Sequence, residues 1–194
     1  MKTRGILLVS ISILLFHACA AGNSSNIDES KAGQGGVWEE RDFTLSDLKG
    51  KRVSLSDFSN SKAVLIDFWA LWCDSCKSEL PRLEDMVKSL DGKGFSLVTV
   101  NTDEASRSAE VRAYVKQRGY TFPVLLDPQT RVIRRFNPSM SLPFTVLLDH
   151  NGRIVKTFEG YEPGSEKTIL DEIGKLIGTT SGPDDSRKAP ESNP

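Results

Sequence analysis

Apolar positions along the chain fall into two periodicities, and the switches between them mark the elements. Val64-Leu65-Ile66 and Phe68 form a short apolar run with the character of a buried strand. Leu80, Leu83, Val87 and Leu90 recur at spacings of three and four, predicting an amphipathic helix. Pro81 falls inside that helix and should kink it, and Asp91-Gly92-Lys93-Gly94 stops it. Strand Phe95 to Val100 follows, then a helix marked by Val111, Tyr114 and Val115 and ended by Gly119. Phe122 to Leu126 reads as another strand, and Val132 to Phe136 as a short helical segment. Phe144 to Leu148 and Ile154 to Phe158 alternate on either side of Asp149-His150-Asn151-Gly152, a strong hairpin signal. Ile169, Ile173, Leu176 and Ile177 give a last helix its apolar stripe. Upstream, Phe43-Thr44-Leu45 and Val53-Ser54-Leu55 alternate around a Lys49-Gly50-Lys51 turn, and Ser56-Asp57-Phe58 closes this first hairpin. Alternating strands and helices predict an α/β fold with a central mixed β-sheet flanked by helices.

Length and composition suit one globular domain plus tails, at 194 residues and 38% hydrophobic content. The net charge of −1, with no basic block, argues against nucleic acid as a partner. Two histidines, His17 and His150, cannot build a histidine triad or a multi-histidine metal site, and His150 reads as a solvated turn residue. No cofactor is implied.

The N-terminus accounts for one of the three cysteines. Lys2 and Arg4 precede an apolar stretch, Ile6 to Phe16, too short to span a bilayer comfortably; residues 1–18 read as a signal peptide. Cys19 follows in Leu15-Phe16-His17-Ala18-Cys19, which resembles a bacterial lipobox and implies a lipid anchor on Cys19. Cleavage after Ala20 also fits, and would discard Cys19. Either way the folded domain keeps one cysteine pair and lies outside the cytoplasm. Residues 19–37 read as a flexible tether that lets the domain roam on the order of 20–25 Å. Residues 38–178 read as the domain, and 179–194 as a disordered tail.

The remaining cysteines sit at a strand-to-helix junction, in Trp72-Cys73-Asp74-Ser75-Cys76. Three apart, they share the first turn of a helix, where unpaired N–H groups and the positive dipole end stabilise a thiolate. Cys73, at the cap, would be the nucleophile, and Cys76 is near enough to close a disulfide with it. Zinc would require a second such pair or histidines. A purely structural disulfide around so small a loop would constrain the unfolded chain little.

Asp67-Phe68-Trp69-Ala70-Leu71-Trp72-Cys73, with Cys76 and Pro81, resembles a thioredoxin active site. In that family a buried Asp lies six residues before the first cysteine and a Pro five after the second; both spacings hold here. The resemblance covers roughly Trp38 to Gly178, and the first hairpin resembles the TlpA/ResA branch of extracytoplasmic thioredoxin-like proteins. It implies a thioredoxin fold with an N-terminal β-hairpin extension. It further implies catalysis by Cys73 and Cys76, with Asp67 beneath them accepting a proton because an apolar setting raises its pKa. Periodicity alone leaves open a surface position for Asp67. Pro143 resembles the family's cis-proline, a trans edge-strand proline being the alternative. Trp72, Asp74, Ser75, Leu142 and Pro143 are the expected substrate-docking residues, and Trp69 an expected core residue.

Asp74 should raise the thiol pKa and favour the disulfide form, by roughly 0.5–1 kcal/mol or ~10–20 mV at near-water dielectric. The expectation is therefore a reductase of disulfides in exported proteins, for example in cytochrome c or oxidase maturation. By resemblance, a membrane thiol-electron transporter would re-reduce it. A thiol oxidase or isomerase of oxidative folding and a copper chaperone of related fold are the alternatives. A peroxiredoxin would need Thr or Ser where Ala70 stands.

Overall fold

The computed structural model describes residues 36–178. The expected signal peptide with Cys19, the tether up to residue 35 and the tail 179–194 lie outside the described residues. The strands are β1 (Thr44–Asp47), β2 (Arg52–Ser54), β3 (Ala63–Trp69), β4 (Phe95–Asn101), β5 (Val124–Leu126), β6 (Phe144–Asp149) and β7 (Ile154–Glu159). They form one mixed sheet in the order β2-β1-β5-β4-β3-β6-β7. β3 pairs parallel with β4 and β4 with β5, while β6 lies antiparallel between β3 and β7. The β1–β2 hairpin is pinned at its turn by Asp47, whose Oδ1 accepts the N–H groups of Lys49 and Lys51 at 2.8 Å.

β3 is an interior strand with all seven residues buried. Its alternate side chains part to opposite faces. Ala63, Leu65 and Trp69 enter a core with Leu80, Leu83 and Met86 of α2 (Asp74–Ser89), Val111 and Val115 of α3 (Ser108–Arg118), and Ile169, Ile173 and Ile177 of α5 (Glu166–Ile177). Val64, Ile66 and Phe68 enter a second core with Leu55, Trp38, and Val132 and Ile133 of α4 (Arg131–Phe136). α2 continues through Pro81 to Ser89.

Two expectations are modified. The strand expected at Ile154 to Phe158 does not alternate cleanly: a register shift between Leu147 and Leu148 leaves Val155 unpaired, and Ile154 and Val155 are both exposed. The tether expected over 19–37 runs into a helix, α1 (Gly36–Arg41). Tertiary contacts hold this segment in place of local propensity. Trp38 is buried and its Nε1–H donates to the His150 carbonyl at 3.2 Å. The Arg135 guanidinium donates to the carbonyls of Glu40 and Asp42, both at 3.0 Å. The indole lies flat against Gly152, which has φ +78° and no room for a side chain: a Cβ there would come within 2.7 Å of Trp38 Cδ2.

Gly152→Ala should therefore destabilise the domain by about 2–4 kcal/mol, from the left-handed backbone and the overpacked contact together. In a Trp38→Ala background the same change should cost only the backbone part, about 1–2 kcal/mol. Urea denaturation of the four proteins checks this; equal costs in both backgrounds would show that the indole contact contributes nothing.

Candidate active site

The junction of β3 and α2 carries the cysteines. Cys73 is the N-cap of α2, in extended conformation (φ −89°, ψ 104°), and its Sγ accepts the Cys76 N–H at 3.1 Å. The two sulfurs are joined as a disulfide, with Cα atoms 5.3 Å apart. Both residues are buried, Cys73 at 5% exposure and Cys76 at 1%, so Cys73 offers the more accessible sulfur. On reduction, a thiolate at Cys73 would keep the Cys76 N–H and the positive end of a 16-residue helix. Ser75 Oγ stands 3.5 Å from Cys73 Sγ.

Asp74, expected to act on the thiol through its charge, carries a counter-ion. Its carboxylate, 93% exposed, points to solvent and pairs with Lys77 Nζ at 2.6 Å. That pairing holds its own pKa below the usual carboxylate range and offsets its field at the sulfur. Trp72 is 64% exposed beside the cysteines, whereas Trp69 is fully buried. The Leu142–Pro143 peptide is cis, and half-buried Leu142 packs against the core that contains both cysteines.

Asp67 falls on the same face of β3 as Leu65 and Trp69, the face covered by α2, and is completely buried. Its register neighbours are Thr99 on β4 and Thr145 on β6. The surface position left open by periodicity is thereby eliminated. A second acid, which the sequence reading missed, faces it. Glu79 of α2 is 2% exposed, and Thr145 Oγ1 stands 3.5 Å from both Asp67 Oδ1 and Glu79 Oε1. The one hydroxyl proton can serve only one of them, and Asp67 Oδ2 and Glu79 Oε2 have no partner among the described residues. Burial raises the pKa of Asp67. Burial, then the charge of Asp67, raises that of Glu79 further. The two carboxyls titrate as a pair and cannot readily both ionise, so the site holds a proton near neutral pH. The signal for Glu79 was its spacing: Cys76, Glu79, Leu80 and Leu83 lie at i, i+3, i+4 and i+7, one stripe of the helix. Among the described residues no group of His, Cys, Asp and Glu could hold a metal ion.

This arrangement suits thiol–disulfide exchange: a sulfur at a helix N-terminus, a second and more deeply buried sulfur bonded to it, and a buried pair of carboxyls on the same face of the sheet. Comparison with known proteins agrees. Residues 39–157 match the AhpC/TSA family. The chain is 34% identical over 142 residues to the thiol-disulfide oxidoreductase ResA of Bacillus subtilis (strain 168), covering 72% of this chain and 77% of that one. It resembles the solved structure of a thioredoxin-family thiol:disulfide interchange protein from Chlorobium tepidum TLS, with TM-score 0.59, 27% identity, and coverage of 71% of this chain and 94% of that one. It also resembles the exposed lipoprotein thioredoxin Etrx1 of Streptococcus pneumoniae strain TIGR4, with TM-score 0.59, 29% identity, and coverage of 70% and 99%.

The raised carboxyls give a stability test with a definite sign. Below about pH 3 both are protonated folded or unfolded, and the fold bears no penalty from their charge. As pH rises towards and past neutrality, the unfolded chain releases protons that the folded chain retains, so stability falls. Glu79→Gln should be stabilising by about 1–3 kcal/mol at pH 8 and nearly neutral at pH 4. Urea denaturation across this range checks it; a difference independent of pH would mean that Glu79 titrates normally.

Proposed function

The chain belongs to the thioredoxin-like AhpC/TSA family and is a thiol-disulfide oxidoreductase, and from that premise we propose that it reduces disulfides of exported proteins through Cys73 and Cys76. The observation that carries this reading is the cysteine pair capping α2 on the face of the sheet that buries Asp67 and Glu79. In the first step the Cys73 thiolate attacks a substrate disulfide; a mixed disulfide forms and one substrate sulfur leaves and takes up a proton. In the second, Cys76 gives its proton to the Asp67–Glu79 pair and attacks Cys73 Sγ. The Cys73–Cys76 disulfide forms and the second substrate sulfur leaves, also to be protonated. Two electrons have passed to the substrate, and an external dithiol must restore the pair; a membrane thiol-electron transporter would supply it. Trp72, Leu142 and Pro143, with Asp74 and Ser75 at the helix start, form the surface a client would meet.

Cytochrome c or oxidase-assembly proteins are the client class we favour, on the resemblance of the first hairpin and the cysteine motif to the TlpA/ResA branch. Ala70, where a peroxiredoxin would need a hydroxyl residue, directs the chemistry to disulfides instead of peroxides. The N-terminal pattern around Cys19, and likeness to a protein described as an exposed lipoprotein, support an extracytoplasmic, lipid-anchored enzyme. No helix among the described residues is long and apolar enough to cross a membrane.

Cys73→Ser should lower the rate of disulfide reduction at least about 10³-fold, and Cys76→Ser should accumulate a mixed disulfide that a thiol reductant releases. Asp67→Asn should slow the second step about 10²-fold at neutral pH, with recovery at alkaline pH where Cys76 ionises unaided. Stopped-flow measurement with a disulfide peptide reads both steps. A reduction potential nearer the ~−120 mV of a strong oxidant than the ~−270 mV of thioredoxin would reverse the direction proposed. Cys19→Ala should move the protein from the membrane fraction to the soluble fraction.

A further inference from the structure

We propose that Asp103 is a positioning residue for the cysteine-bearing loop, and that its hold favours the dithiol form over the disulfide. This rests on the dithiol reading above. Asp103 lies beyond the end of β4, its side chain 1% exposed. Its carboxylate accepts three bonds. Oδ2 takes the Leu71 N–H at 2.7 Å and Asn101 Nδ2–H at 2.8 Å, and Oδ1 takes Arg107 Nη1–H at 2.9 Å. Arg107 is held in turn by Glu110, through Nε at 3.1 Å and Nη2 at 2.8 Å. The bond that matters is the one that leaves the network. Leu71 lies two residues before Cys73, in the loop that joins β3 to α2.

Trp69 and Ala70 at the start of that loop are packed in the core, the Lys77 N–H donates to the Cys73 carbonyl at 3.1 Å, and the loop's other hydrogen bonds are few. Trp69 O accepts from Thr102 N–H at 2.9 Å and from its hydroxyl at 3.3 Å, and Cys73 N–H donates to Ala70 O at 3.2 Å. In the disulfide form the loop is also bonded to α2 through Cys76. When two electrons and two protons convert the disulfide to two thiols, that cross-link is gone and the Asp103 bond remains. It is charge-assisted and buried, the stronger class of hydrogen bond, and removing the acceptor would leave the Leu71 N–H without it. The dithiol form therefore relies on Asp103 more than the disulfide form does.

The sign follows. Removing the carboxylate destabilises the dithiol more than the disulfide, so the protein becomes harder to reduce and its potential moves negative. For Asp103→Ala we expect about a tenfold shift of the exchange equilibrium towards disulfide, which is about 30 mV for two electrons. Arg107→Ala, which removes one donor from the carboxylate at a half-exposed position, should shift it about twofold in the same direction. The experiment is a glutathione redox titration of the full chain with each variant, together with thermal unfolding of both redox forms. Support is a negative shift with a larger loss of melting temperature in the dithiol form. Equal losses in both forms with an unchanged potential would assign Asp103 a merely structural role and overturn the proposal. If Asp103→Ala does not fold, Arg107→Ala decides by the same criterion. A wild-type protein that fails to titrate as a two-electron couple would defeat the dithiol reading, a result distinct from either.

Discussion

A carboxyl sealed into an interior strand of the sheet is the constraint from which the site follows. Asp67 has strands on both sides and a helix over its face, so its charge has no route to water. An unpaired ionised carboxylate in such a place costs several kcal/mol, a large share of a domain stability of about 5–15 kcal/mol. Placing Glu79 against the same threonine makes ionisation harder still. The stable solution is one proton shared between two carboxyls, which leaves the pair room to take up a second; in the proposed resolving step that second proton comes from Cys76.

Around that pair the charges divide by depth. At the surface Asp74 is paired with Lys77, and in the interior Asp67 and Glu79 lie on the face of β3 that the start of α2 covers. The apolar residues near the sulfurs divide likewise. Trp69 anchors the end of β3 in the core, and Trp72, three residues on, stands in solvent where a partner can reach it.

Local pattern made β3, α2, the β6–β7 hairpin and α5 legible, because each carries its own periodicity or turn chemistry. The cysteine spacing and the proline before β6 were legible for the same reason. What escaped depends on neighbours far along the chain. The face taken by Asp67 could not be read because a strand buried on both sides has no polar alternation to orient it. Glu79 reads as an ordinary polar residue until Cys76 is known to point inward. Asp103 looks like a loop residue after a strand, and its partner Leu71 lies 32 positions away. The six residues of α1 show no period, and what fixes them is Trp38 closing on a glycine 114 positions later.

That last contact also sets a direction. Trp38 is clasped by the β6–β7 turn, and Asp149 at that turn pairs with Ala63, the first residue of β3; Cys73 lies beyond the last. Seven strand residues separate the two poles by about 20 Å. A force or leash applied upstream of Gly36 thus meets the body at its base and leaves the reactive crown facing outward. The clasp bears that load before it reaches the loop on which the sulfurs depend.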